Sequence, residues 1–231
     1  MTTRRSYNQY CGLASALNVL GERWTLLIIR ELLMGPRRYS ELLSDLPGLG
    51  TNLLSERLKF LVENEVVRQT DVQGTGFRLS YELTETGLRL RPAVLSLARW
   101  GMEFVDEVAE TDVVRAHWGF LAVEAMIDTA RVGAVGESYE FRVEGEIFHI
   151  DVADGKARAV KGPASNPAMV AVTDATTFVR IGSGRLTPLA AMVTGKLSLE
   201  GGIDAVLRCC ELLGLEAGPA QTAAAGVAHR V

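Results

Sequence analysis

The chain has 231 residues, of which 48% are hydrophobic and 23% charged, and a formal net charge of −4. That length favours two domains over one, and the composition excludes a chain disordered throughout. A global surplus of basic residues, the usual mark of a nucleic-acid-binding domain, is absent, but the charge is uneven. Residues 1–70 hold nine Lys/Arg against seven Asp/Glu, whereas the rest hold fifteen against twenty-one. A localised basic surface is therefore expected in the N-terminal part. Three cysteines, Cys11, Cys209 and Cys210, do not make a disulfide framework and fit a reducing compartment. Met1 to Tyr10 lacks the apolar core of a signal peptide, and no stretch approaches the ~20 apolar residues of a membrane span. A cytoplasmic protein is the expectation.

In chain order, Leu13, Ala14, Leu17, Val19 and Leu20 predict a helix ending near Gly21. Trp24 to Met34 is a strongly apolar helix, ended by Gly35-Pro36, which lowers helix propensity and removes a backbone donor. Tyr39 to Leu46 is a short helix with Leu42, Leu43 and Leu46 inward, and Pro47 to Gly50 is a turn. From Thr51 to Asn64, Leu54, Leu58, Leu61 and Val62 recur at i, i+4, i+7 and i+8, which makes one buried stripe. Val66 to Thr70 opens like a strand, Gly74-Thr75-Gly76 is a flexible tip, and Phe77, Leu79, Tyr81 and Leu83 alternate as a second strand. Thr84 starts another helix, followed by a helical stretch to about Ala109.

Helices, a hairpin and a closing helix follow the order of a winged helix-turn-helix. In such a domain the second helix of the motif turns a polar face to the DNA major groove while its apolar stripe packs inward. On 51–64 the polar candidates are Thr51, Asn52, Ser55, Glu56 and Lys59. Arg57, Lys59, Arg37 and Arg38 are placed to reach phosphates, and Gln73 and Arg78 lie where a wing approaches the minor groove. A plain solvated amphipathic helix explains the same pattern, and Glu56 and Glu63 suit it.

The run from Tyr10 to Val67 resembles the HxlR family of bacterial winged-helix regulators, relatives of the MarR type. The residues that carry the resemblance are Cys11, Gly21-Glu22-Arg23-Trp24, Gly35-Pro36-Arg37-Arg38-Tyr39-Ser40-Glu41-Leu42, Leu54-Ser55-Glu56-Arg57-Leu58 and Tyr81-Glu82-Leu83-Thr84 with Gly87. The resemblance spans about residues 7–107 and implies a homodimer that binds an inverted-repeat operator in double-stranded DNA. Two departures stand out. Cys-Pro is here Cys11-Gly12, and a Ser-Pro-Lys-like start of the recognition helix is here Gly50-Thr51-Asn52, so the operator does not carry over. Cys11 resembles the sensing thiol of some members. Nearby cations and the following helix N-terminus favour a reactive thiolate, while a small apolar residue at a dimer interface is the plainer reading. Residues 88–108 carry a wide apolar stripe that suits either a homodimer interface or packing on a second domain.

Beyond residue 110 the pattern changes. An apolar helix through His117 to Ile127 leads into strands at 139–143, 147–152, 156–160 and 169–173. Asp174 caps a helix over 175–181, Pro188 starts another, 196–200 is a strand, and Ile203 to Leu213 is a closing helix. Asp174-Ala175-Thr176-Thr177-Phe178 and the run Gly184 to Gly201, with Thr194-Gly195-Lys196-Leu197 as its sharpest piece, resemble the sterol carrier protein-like fold. The resemblance implies a layered α/β domain with an apolar tunnel for fatty acyl or sterol-like molecules. The candidate lining residues are Phe178, Leu189, Met192, Ile203 and Leu207, for which ordinary core packing is the alternative.

The expected fold class is thus α+β: a winged helix-turn-helix domain over 1–109, a sterol carrier protein-like domain over 110–215 and a flexible tail over 216–231. The expected function is a DNA-binding transcriptional regulator modulated by a small apolar ligand. The alternatives are a lipid carrier without operator binding and a thiol redox regulator working through Cys11. No catalytic constellation is legible: His149 and Asp151 share a strand face but lack a third group, and Gly195-Lys196 is no phosphate loop. No cofactor or metal is expected.

Overall fold

The computed structural model describes residues 6–71, 79–109 and 111–216. By packing, the chain divides into two compact units between Ser96 and Leu97, whereas the change of sequence character lies at 109/110.

The first unit opens with α1 (Gly12–Leu20), preceded by Cys11 at the N-cap position. Trp24 then adopts φ +77°, rare for a bulky side chain, and its ring lies against Gly48 in the later turn over 47–50. Helix α2 (Thr25–Leu33) buries Ile28, Ile29, Leu32 and Leu33 and forms the centre of this core. A two-residue strand, β1 (Arg37–Arg38), follows, which no periodicity announces. Helix α3 (Tyr39–Asp45) is fastened at its start by the Glu41 carboxylate, which accepts from the Arg38 N–H at 2.6 Å. Helix α4 (Thr51–Glu63) buries Leu54, Leu58 and Leu61, as the spacing predicts, while Val62 stays exposed.

Strands β2 (Val67–Asp71) and β3 (Leu79–Leu83) pair antiparallel with Val67 opposite Leu83, and β1 adds to the other edge of β3 with Arg37 opposite Tyr81. The sheet order is β1-β3-β2. Thr84 caps α5 (Glu85–Leu88) by accepting from the Gly87 N–H at 3.2 Å. Helix α6 (Arg91–Gly101) follows, and Arg91 donates to the Leu33 carbonyl at 2.6 Å. The helix expected to reach about Ala109 stops at Gly101, tightens into a 3-10 turn over Met102–Phe104, and turns extended at Val105. Side chains take over there. The Arg185 Nε donates to the Val105 carbonyl at 2.9 Å, and Arg180 pairs with Glu107 at 3.2 Å.

The second unit is a mixed five-stranded sheet with helices. Its elements are α7 (Trp118–Met126), β4 (Glu137–Val143), β5 (Glu146–Ala153), β6 (Lys156–Lys161), β7 (Met169–Thr173), α8 (Ala175–Gly182), α9 (Pro188–Val193), β8 (Leu197–Gly201) and α10 (Ile203–Leu212). The sheet order is β6-β5-β4-β7-β8, with β4 and β7 parallel and the other neighbours antiparallel. Period-two alternation puts Tyr139, Phe141, Phe148, Ile150, Met169 and Ala171 on the buried face. Phe120, Phe141, Phe148 and Phe178 meet there in stacked and edge-on pairs with ring centres 5.6–6.2 Å apart. Asp174 caps α8 by accepting from the Thr177 N–H at 2.7 Å and from its hydroxyl at 2.6 Å. Glu140, fully buried on the opposite sheet face, accepts from Arg142 at 2.7 Å and from the Ala164 N–H at 2.8 Å.

Candidate functional site

Two places have the shape of a site, one in each unit. In the first unit, the buried stripe of α4 leaves Thr51, Asn52, Ser55, Glu56 and Lys59 exposed. Gly50 precedes α4 in extended backbone with no side-chain cap, so the helix presents its first-turn N–H groups, the end to which phosphate and base edges are attracted. Tyr39, which the sequence reading did not single out, donates to the Thr51 carbonyl at 2.7 Å and lies 3.1 Å from the Ser55 Oγ. Arg57 is engaged inside the protein rather than extended from it. Its guanidinium pairs with Glu22 at 3.0 Å and Glu56 at 3.1 Å. Lys59 is loosely paired with Glu63 at 3.9 Å, Arg38 is exposed and Arg37 half-buried. Gln73 and Arg78 lie outside the described residues.

Cys11 is exposed and sits at the start of α1. The backbone N–H groups of Ala14 and then Leu13 favour the thiolate and lower its pKa from the ordinary thiol range. Arg4 and Arg5 lie outside the described residues.

The second unit encloses a cavity with about 800 Å³ of empty space, part of it open to solvent. The sheet supplies Phe141, Met169, Ala171 and Leu199, helices α7 and α8 supply Val123, Met126, Phe178 and Ile181, and α10 supplies Val206, Cys209 and Cys210. Met102, just past α6, completes the wall. Among the described residues no charged side chain lines it, and the one hydroxyl in the wall, that of Thr173, already donates to the Lys196 carbonyl at 2.8 Å. Burial pushes the Cys209 thiol well up and the Cys210 thiol up, so both stand as neutral apolar surface. Helix α10 is fastened to the sheet by Arg208, which donates to Glu137 at 2.5 and 2.7 Å, and Glu137 also accepts from the Tyr139 hydroxyl at 2.6 Å. The Arg208 bond holds the Glu137 carboxyl below its usual range, and burial raises the Tyr139 phenol.

Of the five lining residues expected from sequence, Phe178 is in the wall. The other four are not. Leu189, Met192, Ile203 and Leu207 are 50%, 43%, 71% and 48% exposed and point away from it. Their helices do border the cavity, but through Pro188 on α9 and through Val206, Cys209 and Cys210 on α10, so the expectation chose the wrong side of each helix. Met102, Met126, Met169, Cys209 and Cys210 bring five sulfur-bearing side chains to the wall, and none of them is among the lining residues expected from sequence. His149 and Asp151 make no joint site: the His149 Nδ1 contacts the Gly162 carbonyl at 2.9 Å and Asp151 pairs with Arg158 at 2.9 Å.

Residues 19–109 match the HxlR-like helix-turn-helix family, and residues 121–214 match the SCP-2 sterol transfer family. The HTH-type transcriptional regulator YvaP of Bacillus subtilis is 38% identical over 91 residues, covering 39% of this chain and 84% of that protein. The chain belongs to the HxlR-like helix-turn-helix family. This HxlR-type regulator is also 36% identical over 92 residues to YodB of Bacillus subtilis, covering 40% of this chain and 82% of YodB. The reduced form of YodB superposes with a TM-score of 0.38 at 33% identity, covering 44% of this chain and 100% of that one. The protein is therefore a transcriptional regulator with a helix-turn-helix domain, joined to a sterol carrier-type domain. Among the described residues no helix is long and apolar enough to cross a membrane.

Proposed function

We propose that the regulator acts as a homodimer that reads an inverted-repeat operator in double-stranded DNA, and that an apolar ligand in the C-terminal cavity modulates this binding. Residues 1–109 serve DNA binding and dimerisation and residues 110–215 hold the ligand; the tail expected over 216–231 lies, past Glu216, outside the described residues. Thr51, Asn52 and Ser55 face base edges. Glu56 and Lys59 border them, and Arg37 and Arg38 approach phosphates. Arg57 holds Glu22 and Glu56 and acts by keeping α4 in place. The dimer reading rests on apolar surface left uncovered on α1, at Leu13 and Leu17, and on α6, at Leu97 and Trp100.

The observation that carries the ligand reading is a wall without charge. An ionised group sealed inside would lose its hydration with nothing to replace it, so the buried part of the ligand is neutral and apolar. Modulation requires the ligand to bind the DNA-competent and incompetent states with different affinity.

The test is selection of a binding site from random duplex DNA, followed by affinity measurements against salt concentration with ligand-free and ligand-loaded protein. Six to ten phosphate contacts lower affinity by about 10³–10⁵ between 50 and 200 mM salt. A flat salt response removes the DNA reading and leaves a carrier of apolar molecules. A steep response that is identical with and without ligand removes the modulation alone.

A second reading has its own observation, the exposed Cys11 with its lowered pKa. YodB has been solved in a reduced and a quinone-bound form. In this reading Cys11 senses oxidants or electrophiles. Cys11→Ser is then expected to keep operator affinity and to lose its response to a quinone or peroxide. An unchanged response in the variant would exclude Cys11 as the sensor.

A further inference from the structure

Tyr39 and Ser55 form a contact whose proton positions follow from elementary hydrogen-bond chemistry. The Tyr39 hydroxyl lies 2.7 Å from the Thr51 carbonyl oxygen and 3.1 Å from the Ser55 Oγ. A carbonyl oxygen only accepts, and a phenol carries one proton. The Tyr39 proton therefore goes to Thr51, and the proton between Tyr39 and Ser55 comes from Ser55. The serine proton points back into the protein, while the exposed serine oxygen keeps its free lone pair toward solvent.

A freely rotating serine donates or accepts and so tolerates either kind of base edge. One whose proton is held elsewhere accepts only. We propose that Tyr39 sets base preference in the recognition helix by holding Ser55 as an acceptor. Ser55 then takes a hydrogen bond from a base amino group, adenine N6 or cytosine N4, and disfavours the keto oxygens of guanine and thymine. Opposite a keto oxygen, two lone pairs meet with no proton between them unless Ser55 gives up its bond to Tyr39. Tyr39 is a positioning residue and Ser55 makes the contact. The inference rests on the operator-reading function proposed above.

The experiment selects sites from random duplex DNA with the wild-type chain, Ser55→Ala and Tyr39→Phe. The base position whose preference disappears in Ser55→Ala is the one Ser55 reads. Affinity is then measured on the selected duplex and on one in which a keto oxygen stands where the amino group stood, with guanine in place of adenine or thymine in place of cytosine and the complement changed to match. The wild type is expected to lose about fivefold in affinity on this exchange, the worth of one hydrogen bond. Tyr39→Phe frees the serine hydroxyl, so the fivefold loss shrinks toward none at that position while preferences elsewhere, salt slope and melting temperature stay at wild-type values. Equal discrimination in Tyr39→Phe and wild type overturns the proposal, as does a wild type indifferent to the exchange of amino for keto. A selection with clear sites but no Ser55-dependent position overturns it and spares the operator reading. A wild type that enriches no sequence removes both.

Discussion

Phe148→Ala is expected to lower the stability of the C-terminal unit by about 3–5 kcal/mol, the range for a large aromatic removed from a closed core. Phe148 is only 2% exposed. It stacks on Phe141 with ring centres 5.6 Å apart and meets Phe120 and Phe178 edge-on at 6.2 and 5.9 Å. Gly119 on α7 packs so close that a methyl group there would stand 3.1 Å from the Phe148 and Phe178 rings. Truncation therefore removes the ring that three aromatics and a helix backbone are packed against, and the neighbours cannot close the gap without tilting α7. Phe141 and Phe178 also line the cavity, so the same change is expected to weaken retention of an apolar ligand. Urea unfolding monitored separately for the two units checks the result. The C-terminal transition moves to lower urea and the N-terminal one stays in place. A loss below about 1 kcal/mol would show that this cluster relaxes freely and is not the centre of the unit.

Gly87→Ala is expected to destabilise the N-terminal unit by about 2–3 kcal/mol, the cost of forcing a methyl group into a filled space. Helix propensity alone predicts the opposite sign, since Ala is favoured over Gly by about 1 kcal/mol inside a helix. The packing decides. A Cβ on Gly87 would lie 2.2 Å from the Val66 carbonyl oxygen and 2.9 Å from a Leu83 methyl. That carbonyl already accepts from the Thr84 N–H at 3.1 Å, and Val66 and Leu83 lie at the base of the β2–β3 hairpin. The strain therefore falls on α5 and on the start of the wing together. Thermal unfolding of the variant checks the sign, and operator affinity is expected to fall with it. A variant as stable as wild type would mean that α5 shifts outward without resistance.

Much of this architecture is legible in the residues. The i, i+4, i+7 leucines of α4 have one reading in a short segment, and they are buried as that reading requires. Alternation at 139–143 and 147–152, with Glu144-Gly145 between them, predicts a hairpin, and Phe141 stands opposite Phe148 in it. Asp174 and Thr84 announce their helices because a short oxygen-bearing side chain meets free N–H groups there. Two elements were misjudged. The stretch 88–109 reads as one helix, yet it ends at Gly101, and arginines 73 and 80 residues away bind the side chains and backbone beyond it. Strand β1 is two residues long and exists through its pairing with β3, which leaves no local period to detect.

The candidate sites divide in the same way. Which side of α4 is polar, and that Thr51, Asn52 and Ser55 begin it, follows from local spacing, because a helix converts sequence interval into direction. That Tyr39 meets Ser55, that Arg57 is engaged by Glu22, and that the cavity wall is built from Met102, Val206 and Cys210 rather than from Leu189, Met192, Ile203 and Leu207 was decided by tertiary structure alone. Periodicity and capping record what each residue does to its neighbours within a turn or two of chain. A cavity is volume left unfilled where elements far apart in sequence fail to meet, and no interval along the chain encodes it.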